Sequence, residues 1–215
     1  MESVHDRVIK QNTENVNLLK TKDYNIFSVL QIQSKEVLIC RMIADLLNPR
    51  GQHGAGAEYL KIFLRDCLGM EKMDTKLAGQ AIVTAEYAID DERRIDIVIE
   101  MGSYFLPIEV KIYAADQKSQ CFDYYQYAKR RDAQAKVYYL TLDGHRPGKD
   151  STSSGSQSVP EEDIVCLSFR EHILNWLKAC KNCGNTGMIP ILEQFIRNIE
   201  QISGYTSERV RNMVI

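Results

Sequence analysis

Two short stretches of this sequence carry side chains whose types and spacing could do chemistry. One is Arg94-Ile95-Asp96-Ile97-Val98-Ile99-Glu100, and the other is Glu109-Val110-Lys111. Residues two apart on a β-strand share a face and lie about 7 Å apart along it, so Glu109 and Lys111 project together. An Asp96 on the adjacent strand and the same face would bring two carboxylates beside one ammonium. Carboxylate oxygens suit Mg²⁺ or Mn²⁺. A divalent ion held there can acidify a water and steady charge on a phosphoryl oxygen. A lysine alongside can orient that water or offset transition-state charge. The second stretch is otherwise apolar (Phe105, Leu106, Ile108, Val110, Ile112), and charged groups are rarely buried unless paired or metal-bound. The other reading is a solvated sheet face with a Glu–Lys pair, and spacing alone leaves both open.

The elements around these residues can be read from periodicity. Apolar residues recur at Leu38, Ile39, Met42, Ile43, Leu46 and Leu47, which predicts a helix from Glu36 to Leu47. It must stop at Asn48-Pro49. A glycine-rich loop with His53 follows, then a helix from Ala57 to Cys67 ended by Gly69. Ala81–Ile89 reads as a strand. Arg94–Met101 and Phe105–Tyr113 alternate with period two, placing Ile95, Ile97 and Ile99 on one side and Asp96, Val98 and Glu100 on the other. The Gly102-Ser103 turn between them predicts an antiparallel hairpin. A helix over Ala115–Asp132 precedes a strand over Lys136–Leu142, implying a crossover and a parallel pair. Residues 143–162 are Gly-, Ser-, Asp- and Pro-rich and read as a mobile surface loop. A strand at Ile164–Phe169 and helices at Glu171–Ala179 and Ile189–Ile202 close the pattern, and residues 4–20 carry a weak helical stripe. The sum is an α/β sandwich with a mixed sheet of about five strands. One domain over 1–215 is expected, with N-terminal helices in 1–70, a sheet core in 80–170 and C-terminal helices in 171–205.

Composition sets limits. The 215 residues hold 27 Lys+Arg and 29 Asp+Glu, a net charge of −2, with 44% hydrophobic residues. These values exclude collagenous, coiled-coil and disordered chains. No apolar run approaches the ~20 residues of a membrane span, and Met1–Lys10 has no apolar signal segment, so a soluble, cytoplasmic protein is expected. The near-neutral total argues against a basic nucleic-acid coat, but a local rim (Lys129, Arg130, Arg131, Lys136, His145, Arg146 and Lys149, with Arg93 and Arg94 flanking the site strand) could still hold phosphates, while Glu161-Glu162-Asp163 and scattered acids bring the total back to −2. Cys180-x-x-Cys183 has no second Cys or His pair at zinc spacing. The remaining cysteines sit in apolar segments as small hydrophobes.

Asp96 followed by Pro107-Ile108-Glu109-Val110-Lys111 resembles the core of the PD-(D/E)XK nuclease superfamily. The flanks sharpen the resemblance. The helix opening at Glu36 and closing in Leu46-Leu47-Asn48-Pro49, then His53-Gly54, then Arg94-Ile95-Asp96-Ile97 and Asp116-Gln117…Gln120…Tyr124, is similar to a branch found in bacterial genomes. It covers about residues 30–142. The resemblance implies a restriction-endonuclease-like α/β/α fold and a divalent-metal-dependent deoxyribonuclease. It implies Asp96, Glu109 and Glu36 as metal ligands for Mg²⁺ or Mn²⁺ and Lys111 as the catalytic lysine, with Gln117 and Tyr124 facing the site or the DNA. Arg94 flanks the site strand. His53 could touch a phosphate or brace its loop, and Glu86 is a further acid on the first strand. The chain departs from the branch at Ile39-Cys40, where His-Ser is usual, and carries Ile95 rather than proline before Asp96. These departures keep an alternative in view, a non-catalytic nucleic-acid- or protein-binding module on the same fold.

Overall fold

β-Branched residues at every second position, bounded by turn residues, make the centre of the chain a sheet. The computed structural model describes residues 24–183 and 185–204. The expected helix over 4–20 and the closing segment 209–215 lie outside the described residues. Five strands form the sheet, in the order of the chain: β1 (Ile82–Ala88), β2 (Arg94–Met101), β3 (Tyr104–Lys111), β4 (Val137–Thr141) and β5 (Ile164–Ser168). β1–β2 and β2–β3 are antiparallel, and β3–β4 and β4–β5 are parallel. The hairpin and the crossover are those that the alternation and the intervening helix predict.

Helices cover both faces. On one lie α1 (Glu36–Leu47), α2 (Glu58–Asp66), α4 (Leu174–Cys183) and α5 (Ile189–Ile202). They bury Ile43, Leu47, Phe63, Trp176 and Phe195 against Ile97, Ile99, Ile108 and Val110 of the sheet. On the other lies α3 (Gln120–Lys129), whose Cys121, Tyr124, Tyr125 and Ala128 pack on Val98, Val137 and Tyr139. The result is the α/β/α sandwich with a five-stranded mixed sheet. No helix among the described residues is long and apolar enough to cross a membrane.

Four sequence expectations need correction. Alternation places Ile95 beside Ile97 and Ile99, but Ile95 packs on the opposite face with Val98. The strand changes phase at Asp96, where neither neighbouring strand pairs with it: the β1–β2 ladder passes from Ala85↔Ile97 to Tyr87↔Ile95, and the β2–β3 ladder ends at Ile97↔Ile108. The helix expected from Ala115 begins at Gln120 instead. Ser119 before it sits at φ 58°, a left-handed conformation that breaks helical continuity. The last-but-one helix likewise starts late, at Leu174, because Phe169–Ile173 form a wider π-turn. Residues 143–162 are ordered rather than an unstructured loop. They hold a helical turn (Lys149–Thr152) and a small hairpin (Ser153–Ser154 with Gln157–Ser158) turning on Gly155 at φ 58°. Buried Ser151 receives a hydrogen bond from the Cys121 amide, a tertiary anchor that composition does not announce.

Trp176 is fully buried, sits edge-on to Phe63 at 5.4 Å, and donates to the Tyr59 carbonyl at 2.8 Å. Trp176→Ala is therefore expected to lower stability by about 3–5 kcal/mol, measured by urea unfolding. A loss below 1 kcal/mol would mean that α4 is not seated on the helical layer as described.

Candidate active site

Where β2 and β3 part, backbone donors on the edge of β3 lose their ladder partners. Buried N–H groups need acceptors, and here carboxylates supply them. Asp96 Oδ2 accepts from the Val110 amide at 2.7 Å, and Glu36 Oε2 accepts from the Ile112 amide at 2.8 Å. Val110 lies in β3 and Ile112 just past its end, two residues on, so the acids are brought to the same edge. Glu109 and Lys111 leave β3 between and beside these donors and point to the α3 side. The cleft that results has a volume of about 250 Å³ and is lined by Glu36, Arg94, Asp96, Glu109, Lys111 and Gln117, among others.

Glu109 and Lys111 do not form a solvated sheet face. Their side chains are 1% and 8% exposed and form an ion pair with each other. Asp96 lies within hydrogen-bonding reach of Glu109. Burial raises the Glu109 carboxyl well above its ordinary range, with the Asp96 charge adding to it and Lys111 only partly offsetting it. Burial also raises Asp96, against the pull of the Val110 amide. For Lys111, burial alone would lower the ammonium, but the charge and hydrogen bond of Glu109 outweigh it and hold it above its usual value. Glu109 Oε2 is buried with no hydrogen-bond partner among the described residues. A hard cation fits such an oxygen, and Mg²⁺ is commonly held by one or two carboxylates with water and substrate phosphates completing its shell. Among the described residues no three acidic, imidazole or thiol groups stand close enough to enclose an ion. The expected trio is thus not gathered into a closed cage: Asp96 and Glu109 adjoin, while Glu36 faces the same cleft with one oxygen held by Ile112.

The other expected site residues divide. Arg94 is exposed on the cleft wall. Gln117 reaches the cleft from the segment before α3, not from the helix, and its Oε1 accepts from Arg93 at 2.8 Å. Tyr124 lines the cleft but is buried. Its hydroxyl donates to the Arg94 carbonyl at 2.5 Å and accepts from Gln120 at 3.1 Å, so it braces the start of β2. His53 does not line the cleft. Its ring is 1% exposed and stacked on Tyr59, with Nε2 on the Asn48 carbonyl and Nδ1 accepting from Ala55 N–H. A ring engaged at both nitrogens has none left for a phosphate, so here it braces the loop. The close approach explains Gly51, where a Cβ would lie 2.7 Å from the His53 ring and 2.3 Å from the Asp45 carbonyl.

Two residues that the sequence marks only as a rim cation and a further acid have roles that their spacing does not show. Arg93, in the turn before β2, binds Asp123 at 3.0 Å, Gln117 at 2.8 Å and the Lys118 carbonyl at 2.6 Å, clamping the segment before α3 beside the site. Its position three residues before Asp96 was the available signal, but not its partners. Glu86 is the second. It sits opposite Asp96 at φ 54°, left-handed in mid-strand, with its carboxylate on Arg41 at 2.6 Å. A non-glycine residue in that region is strained, as at many functional sites.

Two outcomes test this geometry. Glu86→Gly and Glu86→Ala both delete the pair with Arg41. In a regular strand Ala would be the more stable by about 0.5–1 kcal/mol. Left-handed backbone reverses the order, and the Gly variant is expected to unfold about 1 kcal/mol later; a more stable Ala variant would show that the position is unstrained. The second concerns Asp96. A carboxyl raised on folding contributes stability below its unfolded pKa and loses it as pH rises through the folded one. Asp96→Asn in chelator is therefore expected to melt above the unsubstituted protein at neutral pH, with the difference shrinking as pH falls into the range where Asp96 protonates. Each 1 kcal/mol appears as about 2–4 °C. A gain that grew toward low pH would contradict the raised carboxyl.

No curated protein and no solved structure matches the chain. A family model does, over residues 24–198, a span that takes in the helix of Glu36, the whole sheet and most of α5. On that match, and with the five-stranded mixed sheet to house it, the chain belongs to the PD-(D/E)XK nuclease superfamily.

Proposed function

We propose that this chain hydrolyses DNA phosphodiester bonds with Mg²⁺ or Mn²⁺ as cofactor. The observation that carries the reading is the buried Glu109 Oε2, without a hydrogen-bond partner among the described residues, beside Asp96 and Lys111 in an open cleft, within a chain of a nuclease superfamily. Asp96 and Glu109 would hold the ion, with Glu36 facing it from α1. When bound, a divalent ion there supplies charge to a non-bridging phosphate oxygen and acidifies a water.

The chain's own groups do the rest. Lys111, kept protonated by Glu109, donates to the attacking water or to the phosphoryl oxygen as negative charge builds. Glu109 must be ionised to bind a cation, and Lys111 helps to keep it so. Arg94 offers a charged donor to a neighbouring phosphate, and Gln117, fixed by Arg93, offers its amide nitrogen. Tyr124 holds the β2 end that carries Asp96.

Plasmid and linear DNA, incubated with Mg²⁺, Mn²⁺ or chelator, test the proposal. Cleavage is expected with either metal and not with chelator. Asp96→Ala and Lys111→Ala are each expected to lower the rate by at least about 10²-fold. Mn²⁺ is expected to raise the melting temperature, and Glu109→Ala to abolish that rise. Robust cleavage by both variants would sink the assignment. DNA binding with neither turnover nor a Mn²⁺ shift would favour the binding module instead.

A further inference from the structure

The segment 143–163 builds a second groove. It has a volume of about 440 Å³ and is lined by Arg146, Lys149, Thr152, Ser153, Ser158 and Glu161, among others. Arg146 and Lys149 are exposed, and the Arg146 guanidinium is steered by the Glu161 carbonyl at 3.0 Å, which leaves further donors open. The hydroxyls of Thr152 and Ser153 hydrogen-bond backbone carbonyls of the same turn, fixing the wall.

This groove is tied to the wall of the candidate active site. Asp116 accepts from Gly148 N–H at 2.7 Å and from the Tyr139 hydroxyl at 2.8 Å. The Ser119 amide donates to the Asp150 carbonyl at 2.7 Å, and its hydroxyl donates to the Ser153 carbonyl at 2.8 Å. Between those anchors stand Gln117, which lines the cleft, and Lys118, which is exposed. Arg94 on the cleft wall, then Lys118, then Lys149 and Arg146 therefore follow one another along a continuous surface. None of the four forms an ion pair among the described residues, whereas Arg93, Lys129 and Arg131 all do. Asp116 is turned inward; the acids of the segment itself are Asp143, on His145 at 2.6 Å, Asp163, on Lys129 at 3.2 Å, and the exposed Asp150, Glu161 and Glu162, of which Glu161 lines the groove.

We infer that this second groove is a phosphate-binding subsite for the DNA backbone, which runs from the cleft past Lys118 to Lys149 and Arg146. The cleft alone, at about 250 Å³, holds little more than one scissile group. A polynucleotide must continue beyond it, and this path carries cations, outside any ion pair among the described residues, of the kind that contact phosphate without reading sequence. The inference rests on the nuclease reading for its substrate class, but binding tests it without turnover.

Fluorescence anisotropy with a labelled DNA duplex in chelator, between 50 and 200 mM salt, measures it. Neutralising two phosphate contacts should reduce the slope of log K against log salt by about 1.8. Arg146→Ala/Lys149→Ala is expected to show that reduction and roughly tenfold weaker binding at the low-salt end, with kcat unchanged at saturating DNA. Lys149→Glu should weaken binding further. Lys72→Ala/Lys76→Ala, on exposed lysines outside both grooves, should bind as the unsubstituted protein does. An unchanged slope in the Arg146/Lys149 variant overturns the subsite even if cleavage proceeds. If the unsubstituted protein binds with the steeper slope yet cleaves nothing with Mg²⁺ or Mn²⁺, the nuclease reading falls and the subsite stands.

Discussion

The opening of one ladder organises this molecule. A sheet holds together because each backbone N–H finds a carbonyl on the next strand. Past Ile97↔Ile108, β2 no longer supplies those acceptors to β3, and the Asp96 and Glu36 carboxylates take the Val110 and Ile112 amides instead. The repair of a broken ladder therefore places two acids at one edge. It also frees the end of β3 to turn Glu109 and Lys111 into a cleft rather than into a continuous sheet face. The phase change at Ile95 and the left-handed Glu86 are the same event seen from β2 and β1.

Such a site works against the stability of its own fold. Glu109 and Lys111 are charges inside a protein, and taking ions out of water is unfavourable unless their mutual attraction and hydrogen bonds offset it. The pair offsets part of that cost, yet Glu109 keeps one oxygen with no partner among the described residues, and Asp96 stands close enough to raise its carboxyl. An apolar substitution could remove the tension, and the chain retains it. Cys40, buried on α1, shows how strong the local field is: desolvation pushes its thiol up, and Asp96, Glu36, Glu109 and Glu86 all push it further. A large apolar layer from α1, α2, α4 and α5 holds the strands in place against this repulsion.

On the other face, the wall of the cleft is irregular backbone, which needs fixing from outside. Arg93 does this with a three-way fork, and Asp116 and Ser119 fasten the same stretch to residues 148–153. Left-handed Ser119 then delays α3 by five residues relative to the periodic pattern, so that Gln120 and Tyr124 enter the cleft from the first turns of the helix. The position of the helix start is thus a consequence of contacts made by residues far away in sequence.

Local patterning determined a good deal by itself. Period-two runs set the hairpin of β2 and β3, the Gly102-Ser103 turn set its sense, and the intervening helix made β3 and β4 parallel, because these depend on neighbours in sequence. The E-x-K spacing put Glu109 and Lys111 on one face for the same reason. Tertiary structure alone decided the rest. Whether that face was solvated or buried depended on α3 covering it, and His53 became a brace because Asn48, Ala55 and Tyr59 close around its ring. Glu36 reached the site only because α1 packs beside the open edge of β3, 76 residues away. Arg93 and the segment 143–163 acquired their roles from long-range hydrogen bonds, and no periodicity encodes which distant carbonyl or carboxylate a side chain will meet.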